Sequence, residues 1–320
     1  MTALAFTILA LLLVGPVPAL LARASWPLRA PRAAVVLWQS IAVAAVLSAF
    51  SAGIAIASKL FVPGNDGRPT TLLGEIDQLG WPLWLLSITV FGLTLLIGVR
   101  LTVAGIQVFI STRRRRAYHR TLVDILGVHH DGVHHDRAAA QACTRASELR
   151  ILDVAQPLAY CLPGVRGRVV VSEGALSTLT DDEVTAILTH ERAHLRARHD
   201  LVLEAFIAVY VAFPRFVRSR SALDAVRLLI ELLADDAAVR AAGPAPLARA
   251  LVACASGRAP RGALAAGGPT TVIRVRRLAG QPNSVGLAIG AYLSAVAILV
   301  LPTIAVAVPW LNELQRLFAG

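Results

Sequence analysis

Apolar residues along this chain fall in four long uncharged runs: Thr2 to Ala22, Ala33 to Ser58, Gln78 to Val99, and Leu278 to Asn312. A helix needs about 20 consecutive apolar residues to cross the hydrocarbon core of a bilayer. The pattern therefore predicts four spanning helices, at about 2–22, 33–58, 80–103 and 283–310. Between the third and fourth runs the pattern becomes mixed, from Ser111 to about Pro282. That stretch is long enough for one domain with its own core. The expected organisation is a membrane region over 1–112, a polar domain over 113–282, a fourth span over 283–310 and a short outer tail over 311–320.

Inside the polar domain the periodicity changes several times. Arg168 to Ser172, bounded by Gly167 and Gly174, predicts a strand. Thr180 followed three residues later by Glu183 has the form of a capping box. The helix it opens has an apolar face at Val184, Ile187 and Leu188, and no breaker interrupts it before His199. A second helix is predicted over Ser221 to Pro244, with Ser221 as its cap and Gly243 and Pro244 ending it. Its leucines at 228, 229, 232 and 233 are expected to pack against the first helix. Ala205 to Pro214 is apolar but too short to cross, which fits a buried helix or a shallow re-entrant segment. Ala259 to Thr271 is rich in Gly, Pro and small residues and reads as a linker.

Composition supports the membrane reading. The chain is 56% hydrophobic with a mean hydropathy of +0.64, and only 16% charged, against about 25% in an ordinary soluble domain. Lys and Arg outnumber Asp and Glu by 31 to 20. The arginines stand beside the apolar runs (Arg23, Arg29, Arg32; Arg113 to Arg116; Arg274, Arg276, Arg277) and form neither a basic recognition helix nor a stripe interleaved with aromatics, so direct nucleic-acid binding is not expected. Loops rich in Lys and Arg stay in the cytoplasm. This places the polar domain inside, both termini outside, and the Lys59 to Gly80 loop outside. Trp81, Trp84 and Trp310 stand at span ends, where interfacial tryptophans belong. Arg100, near the inner end of the third span, reads as a snorkelling side chain. The first run lacks a positive leader and a small-residue cleavage site, so it is expected to be retained. Cys143, Cys161 and Cys254 have no CxxC spacing and read as buried thiols, not as a disulfide framework.

The candidate chemistry lies in "LTHERAHLRARHD", Leu188 to Asp200. His190 and His194 are one helical turn apart on the same side, a spacing that lets two ring nitrogens meet one zinc ion at about 2.0–2.1 Å. Glu191, beside the first histidine, suits a general base that takes a proton from water at the ion and passes it to the leaving amine. A third protein ligand is required. A longer signature with glycine and a further histidine does not fit, because position 197 is Ala197 and His199 falls one residue short, so His199 reads as a surface or structural residue. Glu231, in the apolar middle of "SALDAVRLLIELLADDAAVRAAGP", is expensive there unless it meets a cation; the alternative is an ion pair, for example with Arg227. Asp235, one turn on, is placed to accept a hydrogen bond from a ligand histidine. "HHDGVHHD", His129 to Asp136, could hold a second metal or form a solvated turn.

From "AYCLPGVRGRVVVSEGAL" through "LTHERAHLRARHD" to "ELLADD", about 80 residues, the chain resembles the gluzincin core shared by HtpX-type membrane proteases and the BlaR/MecR antirepressor family. The flanking spans, the arginine block and the apolar 205–214 segment resemble the BlaR/MecR type more closely. The resemblance implies an α-helical multi-pass membrane protein carrying a mainly α, α+β zinc-peptidase domain. It implies one zinc ion held by His190, His194 and Glu231, Glu191 as general base, and Asp235 as the aspartate of an ExxxD pattern. It further implies a protein substrate, a dimeric winged-helix repressor, whose cleavage transmits a signal, and a substrate strand added at an edge formed by Val169 to Val171. Antibiotic sensors of that family carry an extracellular penicillin-binding domain, whereas about ten residues follow Trp310 here. The input is then expected at the outer loop, the spans or a partner protein.

Overall fold

The computed structural model describes residues 2–57, 76, 80–126, 128–129, 147–164, 167–213, 219–256, 264–265, 270–280 and 283–319. Among the described residues, four helices are long and apolar enough to cross a membrane: Leu4–Arg23, Pro31–Ile56, Trp81–Ile125 and Val285–Ile304. The first is divided into α1 (Thr2–Val14) and α2 (Pro16–Arg23), because Pro16 brings no N–H and its ring crowds the preceding turn. A short 3-10 turn, Trp26–Arg29, leads into α3 (Pro31–Ala57). α1 and α3 pack with the last helix through Leu13, Leu37 and Ile41 set among Ala33, Ala44, Ala291 and Ala295, small residues that let helix backbones approach closely.

α4 (Trp81–Leu126) has 46 residues, about 69 Å at 1.5 Å per residue and more than twice the thickness of a hydrocarbon core. Trp81 and Trp84 stack at its start, with ring centroids 6.1 Å apart. The helix expected to end near 103 continues unbroken through Arg113–Arg116, since 101–126 contains no proline. Its far end docks on a sheet: Val123 joins Tyr160, Leu162 and Val170, and Asp124 accepts from Arg168 at 2.8 Å.

The sheet comprises β1 (Val128–His129), β2 (Ser147–Leu152), β3 (Ala159–Leu162), β4 (Gly167–Ser172) and β5 (Leu264–Ala265), in the order β1-β2-β4-β3-β5. Among the described strands β2 and β4 pair parallel and the other neighbours pair antiparallel. Alternation along β4 sends Val170 toward α4 and Val169 and Val171 to the opposite face, with Leu149, Ala159, Ile187 and Leu188. The edge position expected for Val169–Val171 is not found. Val169 pairs with Leu149 on one side and with Cys161 on the other, so β4 is an interior strand with no free edge for a substrate. A β-branched run buried on both faces suits a central strand.

Among the described residues the helices that follow are α5 (Glu173–Thr178), α6 (Asp181–Arg196), α7 (His199–Ala212), α8 (Arg220–Ala242) and α9 (Pro244–Ala253). Gly174 passes so close to the Ala155 carbonyl that a side chain has no room. Both halves of the Thr180/Glu183 capping box form. α6 ends at Arg196, short of His199, because Arg198 adopts a left-handed conformation (φ 51°, ψ 41°) that a continuous helix cannot contain. The chain turns there and α7 runs along α4. Arg116 binds Asp200 and Glu204 at one end, and Arg100 Nε donates to the Ala212 carbonyl at 2.9 Å at the other. The apolar 205–212 segment is thus a helix lying against the third apolar helix.

α8 is capped by Ser219, whose Oγ accepts from Ala222 N, and not by Ser221. Its leucines also point elsewhere than expected. Leu229 and Leu232, with Leu228 and Leu233 beside them, pack on Ala34, Val35 and Trp38 of α3, because the face of α8 toward α6 is the polar one bearing Glu231 and Asp235. α10 (Thr271–Leu278) then leads to α11 (Val285–Ala319), which continues past the end expected near 310. The His-rich tract beyond His129, most of the Lys59–Gly80 loop, most of the Ala259–Thr271 linker, Cys143 and the side chain of Trp310 lie outside the described residues.

Candidate metal centre

One turn of α6 puts His190 Nε2 and His194 Nε2 3.2 Å apart. The polar face of α8 brings in Glu231, with Oε2 3.4 Å from His190 Nε2 and Oε1 3.7 Å from His194 Nε2. Each of the three residues offers one ligand atom, all within 4.8 Å of one another. An ion held tetrahedrally with bonds of about 2.0–2.1 Å separates its ligand atoms by about 3.3–3.4 Å, so the observed spacing fits. Arg227, the alternative partner for Glu231, pairs with Asp224 instead.

The nitrogens on the far side of each ring strengthen the fit. His190 Nδ1 lies 3.0 Å from Asp235 Oδ1. The buried Asp235 carboxyl is held well below the usual carboxylate range: burial opposes this, but bonds from Arg274 and His190 outweigh it. As a carboxylate Asp235 can only accept, so His190 carries its proton on Nδ1. His194 Nδ1 lies 3.0 Å from His199 Nδ1. Burial pushes His194 down to about 3 and His199 down to about 4, so both rings are neutral at pH 7. The Nε2 atoms of His190 and His194 converge with the Glu231 carboxylate on one point, an arrangement that suits a cation. In the metal-free protein a proton answers that demand: burial disfavours charge on His190, but Asp235 and Glu231 raise it to about 9. Glu231 falls to about 2, since His194, His190 and Arg274 outweigh its burial.

Glu191 is fully buried, and no N–H or O–H donor among the described residues reaches either oxygen. It faces the Cys161 thiol on β3. Burial, helped by Glu231 and opposed by His190, raises its carboxyl to about 7, where a group can both take and give a proton at neutral pH.

Three participants were not legible as site residues. His199 is buried and orients His194, and Cys161 stands beside Glu191. Arg274, only 1% exposed, binds Asp235 through Nε (2.8 Å) and Nη2 (2.6 Å), with Nη1 3.0 Å from Glu231 Oε2. In the sequence Arg274 is one of a cluster flanking a span, and no local signal separates it from Arg276. His199 did carry a signal, since a histidine just after a two-histidine helix is the first group that a chain reversal returns to that helix.

The model of Peptidase family M48 matches residues 131–233, a stretch that contains His190, Glu191, His194 and Glu231 and stops before Asp235 and Arg274. No curated protein matches the chain, and no solved structure matches it. The family match and the three-ligand cluster together support metallopeptidase activity.

Proposed function

We propose that the protein is a membrane-embedded zinc metalloendopeptidase. The observation that carries this reading is the convergence of His190, His194 and Glu231 at 3.2–3.7 Å. A bound zinc ion would supply Lewis acidity toward water and a peptide carbonyl. Glu191 takes a proton from the attacking water and returns it to the departing amine, work that suits a fully buried carboxyl adjacent to His190 and reached by no N–H or O–H donor among the described residues. Asp235 fixes the orientation of the His190 ring and His199 that of the His194 ring, so that His190, His194 and Glu231 are the residues that would hold the ion.

We further propose that the four apolar helices cross the bilayer and that the sheet and metal centre lie on the cytoplasmic side. Arg274 and Arg277 are engaged inside the protein and lend nothing to that orientation, which rests on Arg23, Arg29, Arg32 and Arg113–Arg115. By resemblance to the BlaR/MecR type, the substrate is a dimeric winged-helix repressor and the cleavage relays a signal. Comparing new protein N-termini in cells carrying wild type or Glu191→Gln tests the whole reading. The expected result is a repressor fragment present only with wild type. Fragments drawn from misfolded membrane proteins would assign quality control instead, and identical N-termini in both strains would end the peptidase reading.

A further inference from the structure

Arginines beside an apolar helix ordinarily lie in solvent or among headgroups, yet Arg274 and Arg277 of α10 are both buried. Arg274 grips Asp235 with two donors and reaches Glu231 with a third nitrogen. Three residues on, Arg277 Nη1 binds Asp236, the neighbour of Asp235, at 2.8 Å. Its Nε donates to the Leu28 carbonyl at 2.7 Å, in the turn between α2 and α3, and its Nη2 donates to Asn283 Oδ1 at 2.7 Å. The next residue, Ser284, donates its N–H to the Arg29 carbonyl at 2.8 Å. Adjacent aspartates of α8 are therefore held by two arginines of one short helix, and the second arginine is also fastened to the α2–α3 connection.

We propose that α10 is a strut tying the metal centre to the α2–α3 hairpin, with Arg274 and Arg277 as positioning residues. Movement of the hairpin then changes how Glu231 and Asp235 are presented to the ion. This rests on the metal-centre reading above. The planar guanidinium forks demand fixed orientations of their acceptors, and eight residues of helix offer no slack. A turn of α10 by one residue, about 100°, would withdraw both arginines from their partners. Such an assembly favours two discrete arrangements over gradual adjustment, as a device passing a membrane signal to a buried site requires.

The test uses full-length protein in detergent micelles, zinc competed against a chromophoric chelator, and the visible spectrum of the cobalt-loaded protein. Arg277 touches no proposed ligand, yet Arg277→Gln should weaken zinc binding by about tenfold or more and alter the cobalt band. Arg277→Lys, able to satisfy fewer acceptors, should fall between. If Arg277→Gln does not fold, Asn283→Ala removes one of its acceptors and should shift the same readouts by less. Zinc affinity within about twofold of wild type with a superimposable cobalt spectrum overturns the strut, as does a lower melting temperature with the spectrum unchanged, which would mark a simple brace. Glu231→Ala separates the two readings: if wild type binds neither metal, or binds them no better than Glu231→Ala, the metal centre itself falls.

Discussion

Arg116 and Arg274 are both buried, and each faces two carboxylates spaced four apart on one helix. Arg116 holds Asp200 and Glu204 of α7 at 2.9 and 2.7 Å; Arg274 holds Asp235 and Glu231 of α8. The charge arrangement is the same, but the surroundings differ. The Arg116 set consists of one cation and two carboxylates with no imidazole among them, and it fastens α7 to α4. The Arg274 set also faces two imidazoles whose Nε2 atoms lie 3.2 Å apart, and one guanidinium cannot answer those lone pairs and both carboxylates at once. Ion pairing alone builds a brace, whereas convergent lone pairs added to it make a place for a metal.

The sharpest way to break this comparison is Glu191→Gln, because the Arg116 set has no counterpart to that buried carboxyl. Peptide hydrolysis should fall by about 10²–10⁴-fold, the usual contribution of a positioned proton carrier, with zinc content unchanged by elemental analysis. Activity near wild type would remove Glu191 from the chemistry. Arg116→Ala should do the reverse. Leaving two carboxylates buried without their cation costs about 3–5 kcal/mol, visible as a lower chemical-denaturation midpoint, while the folded fraction keeps its zinc affinity. Loss of zinc in folded Arg116→Ala would show that the two arginine sets are not independent.

What could be read from the amino-acid pattern divides along the same line. The four apolar helices, the capping box of α6 and the shared side of His190 and His194 follow from local periodicity and are present in the structure, whereas the approach of Glu231 to that side is implied only by the family resemblance. The orientation of α8 does not follow from periodicity. Its leucines are apolar wherever they point, and only the α3 contact at Ala34, Val35 and Trp38 decides that they face away from α6. The interior place of β4 depends on β2 and β3 arriving from either side, and the left-handed Arg198 on where α7 must go. Arg274 reaches Asp235 from 39 residues away, a pairing that no periodicity encodes. Long-range partners, not element types, were the hidden part.

A subtler difference appears with pH. In the metal-free protein His190 titrates near 9, against about 6.5 in an unfolded chain. Its extra proton stabilises the fold fully below the unfolded value, and that contribution is lost as pH rises through 9. The apo melting temperature should fall by roughly 5 °C across that window. The same proton sits on the lone pair a metal needs, so zinc affinity should climb about tenfold per pH unit until His190 has titrated. Arg116→Ala, which removes no imidazole, should keep both slopes. A zinc affinity flat between pH 7 and 9 would mean that His190 is not held as a cation in the apo protein.

The smallest expected effect belongs to a third arginine on α4. Among the described residues Arg100 pairs with no carboxylate in the Arg116 manner; its Nε donates to the carbonyl of Ala212, the last residue of α7. A cation at a helix C-terminus meets the negative end of the helix dipole, and the bond fills an acceptor that the helix itself leaves open. Replacing Arg100 by Leu removes that bond but also takes a charge out of apolar surroundings, so the two effects partly cancel. Stability should drop by about 1 kcal/mol, or about 1.5 °C in melting temperature for a chain of this length, with zinc affinity and turnover unchanged. A loss as large as that of Arg116→Ala would show that α7 depends equally on both of its ends. An increase in stability would show that the carbonyl finds another donor and that Arg100 serves neither fold nor site.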